Sequence, residues 1–322
     1  MVTKMTAPII SVVATLYKSQ DYIVQFCERI RTSAAALGKS FEIVLVNDGS
    51  PDRSAEIARD YADRFGNIVL VDLSRNFGHH QAMMAGLRCA KGDFIFLIDS
   101  DLEEEPEWLE QFWPKLFEHG CDVVYGVQAS RRGSFTSRVC GHLYYHISQL
   151  LTGLSMPLDL VTARLMTRRY VDALLQFHER EIDIAALWVL TGFEQKPIQV
   201  IKHDSSPTTY TLAKKVALLV NSITSYSNRP LLGIFYFGAM ISAISGAYVF
   251  YLVVNRIFFD ATLEGWTSLM ASIWLLGGLI ISFVGIIGIY LAKVFAETKQ
   301  RPLAIVKEIY PKGYTAIKRE FL

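Results

Sequence analysis

Residues 94–106 read Phe-Ile-Phe-Leu-Ile-Asp-Ser-Asp-Leu-Glu-Glu-Glu-Pro. The apolar start fits a buried strand, and it stops at Asp99-Ser100-Asp101 with more carboxylates behind it. Side chains of an extended chain alternate, so Asp99 and Asp101 point the same way. Carboxylates at the carboxyl end of a buried strand stand where an open α/β sheet holds its ligand. Their oxygens, with room left for waters and phosphates, suit Mg2+ or Mn2+. The same letters also suit a solvated acidic turn ahead of a helix, because carboxylates favour a helix N-terminus.

The sequence upstream bears on that choice. Residues 10–15 and 41–46 are apolar strand candidates, separated by helical periodicity over residues 21–37. The second strand ends in Asn47-Asp48-Gly49-Ser50-Pro51-Asp52, where Gly49 supplies a turn and Ser50-Pro51 opens a helix over residues 54–65. A third strand, residues 68–73, leads into Ser74-Arg75-Asn76-Phe77-Gly78-His79-His80 and a helix over residues 81–90. The alternation of strand and helix predicts an α/β fold with a parallel sheet covered on both faces. Every polar cluster falls after a strand, which gathers Asp48, residues 75–80 and the Asp99/Asp101 pair along one rim. The first strand runs into Thr15-Leu16-Tyr17-Lys18-Ser19, with no Gly-x-Gly-x-x-Gly and no P-loop. A nucleotide on this rim is therefore expected to be held by side chains, with its diphosphate held through a metal.

Composition narrows the function classes. The 322 residues suggest two parts, and a net charge of +1 argues against a nucleic-acid binder. The 4 cysteines are scattered without a Cys-x-x-Cys pair, which fits a reduced compartment. The first residues lack the pattern of a signal peptide. Residues 231–254 and 265–292 are uncharged runs, each longer than the roughly 20 residues that span hydrocarbon. They predict a membrane hairpin of two transmembrane helices. Lys214, Lys215 and Arg229 flank the first run, and Lys293, Lys299, Arg301, Lys307 and Lys312 follow the second. The short connection holds Arg256 against Asp260 and Glu264, so the positive-inside bias puts both chain ends in the cytoplasm. Gly238, Ser242 and Gly246, with Gly278, Ser282 and Gly285, form small-residue ridges suited to close packing within the hairpin or in a homo-oligomer. Leu212, Val216, Leu219, Val220 and Ile223 recur at helical spacing beside Lys214 and Lys215, as in an interfacial amphipathic helix.

Taken together, Ser-Val-Val-Ala-Thr-Leu-Tyr (11–17), Val-Asn-Asp-Gly-Ser-Pro-Asp (46–52), Ser-Arg-Asn-Phe-Gly (74–78) and Ile-Asp-Ser-Asp-Leu (98–102) resemble glycosyltransferase family 2. Ala163-Arg164-Leu165-Met166, the membrane hairpin and Glu297-Thr298-Lys299-Gln300-Arg301-Pro302 resemble its polyprenyl-phosphate branch, the bacterial relatives of dolichol-phosphate mannose synthase. The resemblance implies a Rossmann-like GT-A domain with a mostly parallel sheet, and transfer of one sugar from a nucleotide-sugar to a membrane-embedded polyprenyl (undecaprenyl) phosphate. It implies that Thr15, Tyr17 and Asp48 line the nucleotide pocket, with Asp99 by the ribose and metal. Asp101 is then the main metal ligand and Glu103 a third candidate. Arg164, with Arg131, Arg132 and Arg138, is implied to meet the acceptor phosphate. That phosphate is already anionic, so it needs cations rather than a strong base, and its direct attack inverts the anomeric carbon.

The expected organisation is a catalytic domain over residues 1–205, a linker and interfacial helix over 206–230, two spans over 231–295 and a cytosolic tail over 296–322. The default donor is a UDP-hexose, and the expected location is a bacterial plasma membrane. Three positions depart from the family pattern. Glu103 and Glu104 stand where Gln then Asp is usual, Val161-Thr162-Ala163 replaces Gly-Asp-Phe, and His79 follows Asn-Phe-Gly in place of a basic residue. Two other readings remain. A processive polysaccharide synthase calls for a Gln-x-x-Arg-Trp motif and more spans, neither of which is found. A non-catalytic nucleotide-sugar-binding scaffold is motivated by the departures themselves.

Overall fold

Alternating burial drives the first strands to where their periodicity puts them. In β1 (Ile10–Leu16) and β2 (Phe41–Asn47), Ile10, Val12, Ala14, Ile43 and Leu45 enter one apolar layer, and Val13, Val44 and Val46 the other. The computed structural model describes residues 8–128, 159–180, 182–203, 224, 227–259, 265–312 and 314. Between the strands lie α1 (Ile23–Ala36) and α2 (Ser54–Arg64); β3 (Ile68–Leu73), α3 (His79–Cys89) and β4 (Phe94–Leu97) follow. The chain continues through α4 (Trp108–Glu118), β5 (Val123–Gln128), β6 (Leu160–Thr167), α5 (Arg168–Leu174), α6 (Ile184–Leu190) and β7 (Gln195–Val200). Then come α7 (Arg229–Phe259), α8 (Trp266–Thr298) and β8 (Val306–Tyr310).

The eight strands form one sheet in the order β7-β5-β6-β4-β1-β2-β3-β8. Strands β1 to β4 pair in parallel, as the helical crossovers between them require. Antiparallel pairs enter with β6, against β4 and β5, and with β8 against β3, while β5 and β7 pair in parallel. The sheet is mixed, with four of its seven described strand pairs parallel. Helices α1, α2 and α4 cover one face, and α3, α5 and α6 the other. Helix α3 lies so close that a Cβ on Gly86 would meet Val13 and Val46 side-chain carbons at 2.5 and 2.8 Å.

The tail is where the structure adds most. Residues 303–322 carry no role in the sequence reading, yet β8 pairs antiparallel with β3, Tyr310 opposite Leu70 and Ile309 opposite Val71. Beyond it, the Tyr314 hydroxyl lies 2.9 Å from Glu42 Oε2 and 2.9 Å from Cys89 O at the amino-terminal end of the sheet. Residues 301–312 and Tyr314 thus belong with the sheet, and α7 and α8 form a second unit.

Within that second unit α7 has 31 residues and α8 has 33. Leu275–Thr298, 24 residues, is long and apolar enough to cross a membrane, and none of it is buried. The apolar part of α7, Arg229–Ser245, is shorter. The two helices meet at Phe237 and Phe283, whose rings stand edge to face with centroids 6.1 Å apart. The expected interfacial helix lies outside the described residues apart from Thr224 and residues 227–229.

Candidate active site

The carboxyl ends of β1 to β4 are tied together by side chains that the sequence places directly after them. Asp48, buried one residue past β2, accepts hydrogen bonds from the Phe77 N–H (2.7 Å) and the Gly78 N–H (3.0 Å). Gly49 has φ +59°, and a Cβ there would lie 2.4 Å from the backbone at Arg75 and Asn76, so only glycine fits. Asp48 is therefore anchored to the 76–78 loop, which delivers His79 to the first turn of α3. Ser100, buried between the two acids of the opening motif, donates to the Thr15 carbonyl at 2.8 Å. Thr15 is nearly buried, and Tyr17 stands half exposed beside it.

Asp99 and Asp101 lie just past β4, near enough for the charge of Asp99 to act on Asp101, in unlike surroundings. Asp99 Oδ2 accepts from the Thr162 hydroxyl at 2.8 Å. Its Oδ1 is buried without a well-formed hydrogen bond among the described residues, with His79 Nε2 3.3 Å away. The other side of that imidazole, Nδ1, is 3.0 Å from Thr15 Oγ1. Burial alone would raise the Asp99 carboxyl, but its contacts with His79 and Thr162 hold it below the usual carboxylate range. His79 is raised in return: burial works against its charge, and the Asp99 carboxylate outweighs it. Asp101 goes the other way, raised by burial and by the charges of Asp99 and Glu103, though the Glu103 N–H donates to its Oδ1 at 3.0 Å.

Two neighbours complete the cluster. Glu104 is sealed from solvent, with Oε1 accepting from the Thr162 N–H at 2.8 Å. Burial and the adjacent Asp99 charge push its carboxyl up to about 8, so it holds a proton near neutral pH. Lys202, two residues past β7, puts Nζ 3.2 Å from Glu103 Oε2 and 3.9 Å from Glu104 Oε1. Burial lowers the Lys202 ammonium, but Glu104, Asp99 and Glu103 raise it further, so it stays charged.

Asp101 is pushed up by burial and by the charges of Asp99 and Glu103. The buried Asp99 Oδ1, with His79 3.3 Å away, makes no well-formed hydrogen bond among the described residues; a divalent ion relieves both. Among the described residues no three His, Cys, Asp or Glu side chains converge as a closed metal site. Two carboxylates with open positions fit Mg2+ or Mn2+ shared with a diphosphate and waters.

The remaining predicted residues separate. Arg164 sits on β6 opposite Leu97 of β4, two positions from Thr162 and on the same face. It is 1% exposed, stacked on the Trp188 ring, and has one terminal nitrogen without a hydrogen bond among the described residues. Burial lowers its guanidinium to about 9. It borders a cavity of about 220 Å³ lined also by Tyr125, Leu160, Trp188 and Phe193. Arg131, Arg132 and Arg138 lie outside the described residues. Thr162, Glu104 and Lys202 are site residues that sequence reasoning missed. Thr162 stands where the family pattern has a carboxylate, and that departure was the available signal. Lys202 belongs to no motif.

The family model for glycosyl transferase family 2 matches residues 11–175. A protein of Mycobacterium tuberculosis described as "Putative glycosyltransferases" is 47% identical over 306 residues, covering 95% of this chain and 90% of its own length. The undecaprenyl-phosphate 4-deoxy-4-formamido-L-arabinose transferase of Edwardsiella ictaluri is 31% identical over 314 residues, covering 94% of this chain and 95% of its own. Among solved structures, a mannosyltransferase from Pyrobaculum calidifontis in complex with GDP-Man and Mn2+ is 16% identical, with a TM-score of 0.49, covering 92% of this chain and 88% of that one.

Proposed function

Because the chain belongs to glycosyltransferase family 2, and is a glycosyltransferase with a GT-A-like sheet, we propose that it transfers one sugar from a nucleotide-sugar to a polyprenyl phosphate, with inversion. The observation that carries the donor half is the pair Asp99/Asp101 just past β4, where the buried Asp99 Oδ1, 3.3 Å from His79, makes no well-formed hydrogen bond among the described residues. Thr15 and Tyr17 flank the same rim and line the nucleotide pocket, which Asp48 shapes through the 76–78 loop. Asp99 and Asp101 hold the divalent cation, which, when bound, offsets the charge of the departing nucleoside diphosphate. Thr162 and His79 fix the Asp99 carboxylate so that its orientation is set before the donor arrives.

The acceptor half rests on the undecaprenyl-phosphate transferases related over nearly the whole chain. An anionic phosphate oxygen needs no strong base, which fits a cluster whose imidazole is occupied by Asp99 and Thr15. Arg164 is sealed, so its charge reaches the cluster through buried protein. Direct contacts to the acceptor phosphate fall to Arg131, Arg132 and Arg138. The helices α7 and α8 cross the membrane as a pair. Residues before and after them share one sheet, and an even number of crossings returns the chain to the side it left. The positive flanks make that side cytoplasmic.

The test is product mass spectrometry. The full chain in lipid nanodiscs is offered a panel of nucleotide-sugars with undecaprenyl phosphate and Mn2+, with and without EDTA. We expect the lipid to gain one sugar mass with a single donor, and EDTA to stop it. Sugar released only to water, or a polymer, overturns the acceptor reading; undiminished transfer in EDTA overturns the metal.

A further inference from the structure

The segment that closes β7 is latched onto the acidic loop at three points. Lys202 Nζ lies 3.2 Å from Glu103 Oε2, the His203 N–H donates to the Glu103 carbonyl at 2.9 Å, and His203 Nε2 is 2.6 Å from Glu105 Oε1. The ion pair is shielded, with the Lys202 and Glu103 side chains 23% and 17% exposed. A shielded pair of opposite charges keeps its geometry better than a solvated one, because water competes for neither partner.

Glu103 is the carboxylate whose role the sequence leaves open. We propose that Lys202 is a positioning residue that commits Glu103 to an internal ion pair, so that the divalent cation is met by Asp99 and Asp101 alone. The inference rests on the metal-dependent reading above and says which carboxylates that metal meets. Its physical sense lies in charge count. Cation affinity rises with the number of anionic ligands, yet the same site must accept a diphosphate that further negative charge repels. Lys202 cancels the extra glutamate and leaves the loop anionic enough for one divalent ion. The backbone bond from His203 to Glu103 holds both residues of the pair in register.

Mn2+ binding to the nucleotide-free full chain, read from the electron paramagnetic resonance signal of unbound Mn2+, tests this without turnover. Lys202→Met releases Glu103 and is expected to tighten Mn2+ binding roughly tenfold, in line with one more anionic ligand. Lys202→Arg should stay near wild type. The decisive variant is Glu103→Gln/Lys202→Met, which keeps the net charge of the loop and leaves no buried charge unpaired. It should bind Mn2+ within about twofold of wild type if the pair is internal. A loss of tenfold or more in that double variant makes Glu103 a ligand and overturns the proposal. So does unchanged or weaker binding in a folded Lys202→Met. If wild type and all variants bind no Mn2+ while transfer survives EDTA, the metal reading falls and takes the inference with it.

Discussion

Two buried glutamates stand at opposite ends of one sheet, and they are treated in opposite ways. Glu42, at the amino end of β2, is 2% exposed and well supplied with donors. Ser11 Oγ and the Lys91 N–H donate to its Oε1, both at 2.6 Å, and the Tyr314 hydroxyl lies 2.9 Å from Oε2. Glu104, beyond the carboxyl end of β4, is 0% exposed and has one good hydrogen bond, from the Thr162 N–H. Asp99 Oδ1 beside it is buried and makes no well-formed hydrogen bond among the described residues. Protein interiors normally satisfy such groups. The amino end, whose acceptors are met, serves the structure, and the carboxyl end, where Asp99 Oδ1 stays without such a bond among the described residues, is the end proposed to take a ligand.

Breaking the carboxyl end should therefore cost turnover, and breaking the amino end should cost stability. The largest effect is expected from Asp101→Asn. Removing a carboxylate proposed to hold the cation should lower kcat by about 10²- to 10³-fold, the scale of losing one preorganised charge contact. Because Asp101 is already raised by burial and like charges, the apo protein should melt at the same temperature or slightly higher. A large fall in the melting midpoint with near-normal turnover would invert the assignment. Second in size is Glu42→Ala, which leaves the Lys91 N–H and the Ser11 hydroxyl without their acceptor and the Tyr314 hydroxyl with the Cys89 carbonyl alone. That loss should destabilise the catalytic domain by about 3 kcal/mol, seen as a lower denaturation midpoint, while kcat per folded molecule holds.

The sequence made the two ends unequally legible. The first three strands and their helices could be read because each has a clear period and a turn signal, and Gly49 sits in the strained turn its motif implied. Strand order beyond β4 could not be read, since side-chain alternation does not encode whether a neighbour runs parallel or antiparallel. Strand β8 alternates Val306, Lys307, Glu308, Ile309 and Tyr310 over too short a run to stand out behind a membrane segment. In the site, Asp99 and Asp101 announced themselves by spacing. Thr162 was visible only as a missing carboxylate, although it supplies a hydroxyl to Asp99 and a backbone donor to Glu104. Arg164 showed as a cation for the acceptor phosphate, but nothing in its letters says that Trp188 would cover it. Glu103 stayed ambiguous because its partner, Lys202, lies a hundred residues away in the chain and belongs to no motif.

A third, smaller effect sharpens the contrast through pH. The folded-state carboxyl of Glu104 titrates at about 8, above its ordinary 4.5. Below the ordinary value both folded and unfolded chains hold the proton, and its contribution is fully present. As pH rises between the two values the unfolded chain sheds the proton while the folded chain retains it, so stability falls until pH passes the folded value. In EDTA, the wild-type melting midpoint should thus decline between about pH 6 and pH 8.5. Glu104→Gln has no proton to lose at that site and should decline less, so the gap between the two proteins widens with pH. Parallel curves would mean that Glu104 is charged in the folded state.

The smallest effect belongs to Tyr314→Phe, which tests whether the tail seals the amino end. The substitution keeps the ring, which lies under the Lys91 ammonium at 3.3 Å, and removes only the hydroxyl shared between Glu42 Oε2 and the Cys89 carbonyl. One hydrogen bond to a charged acceptor is lost, and Glu42 keeps Ser11 and Lys91, so the cost should be about 1–2 kcal/mol. Combined with Glu42→Ala the penalty should be less than the sum of the two, because the hydroxyl has already lost its carboxylate partner there. Strict additivity would show that the Tyr314 hydroxyl acts through the Cys89 carbonyl, independently of Glu42. Tail and glutamate would then be separate supports of the sheet rather than one seal.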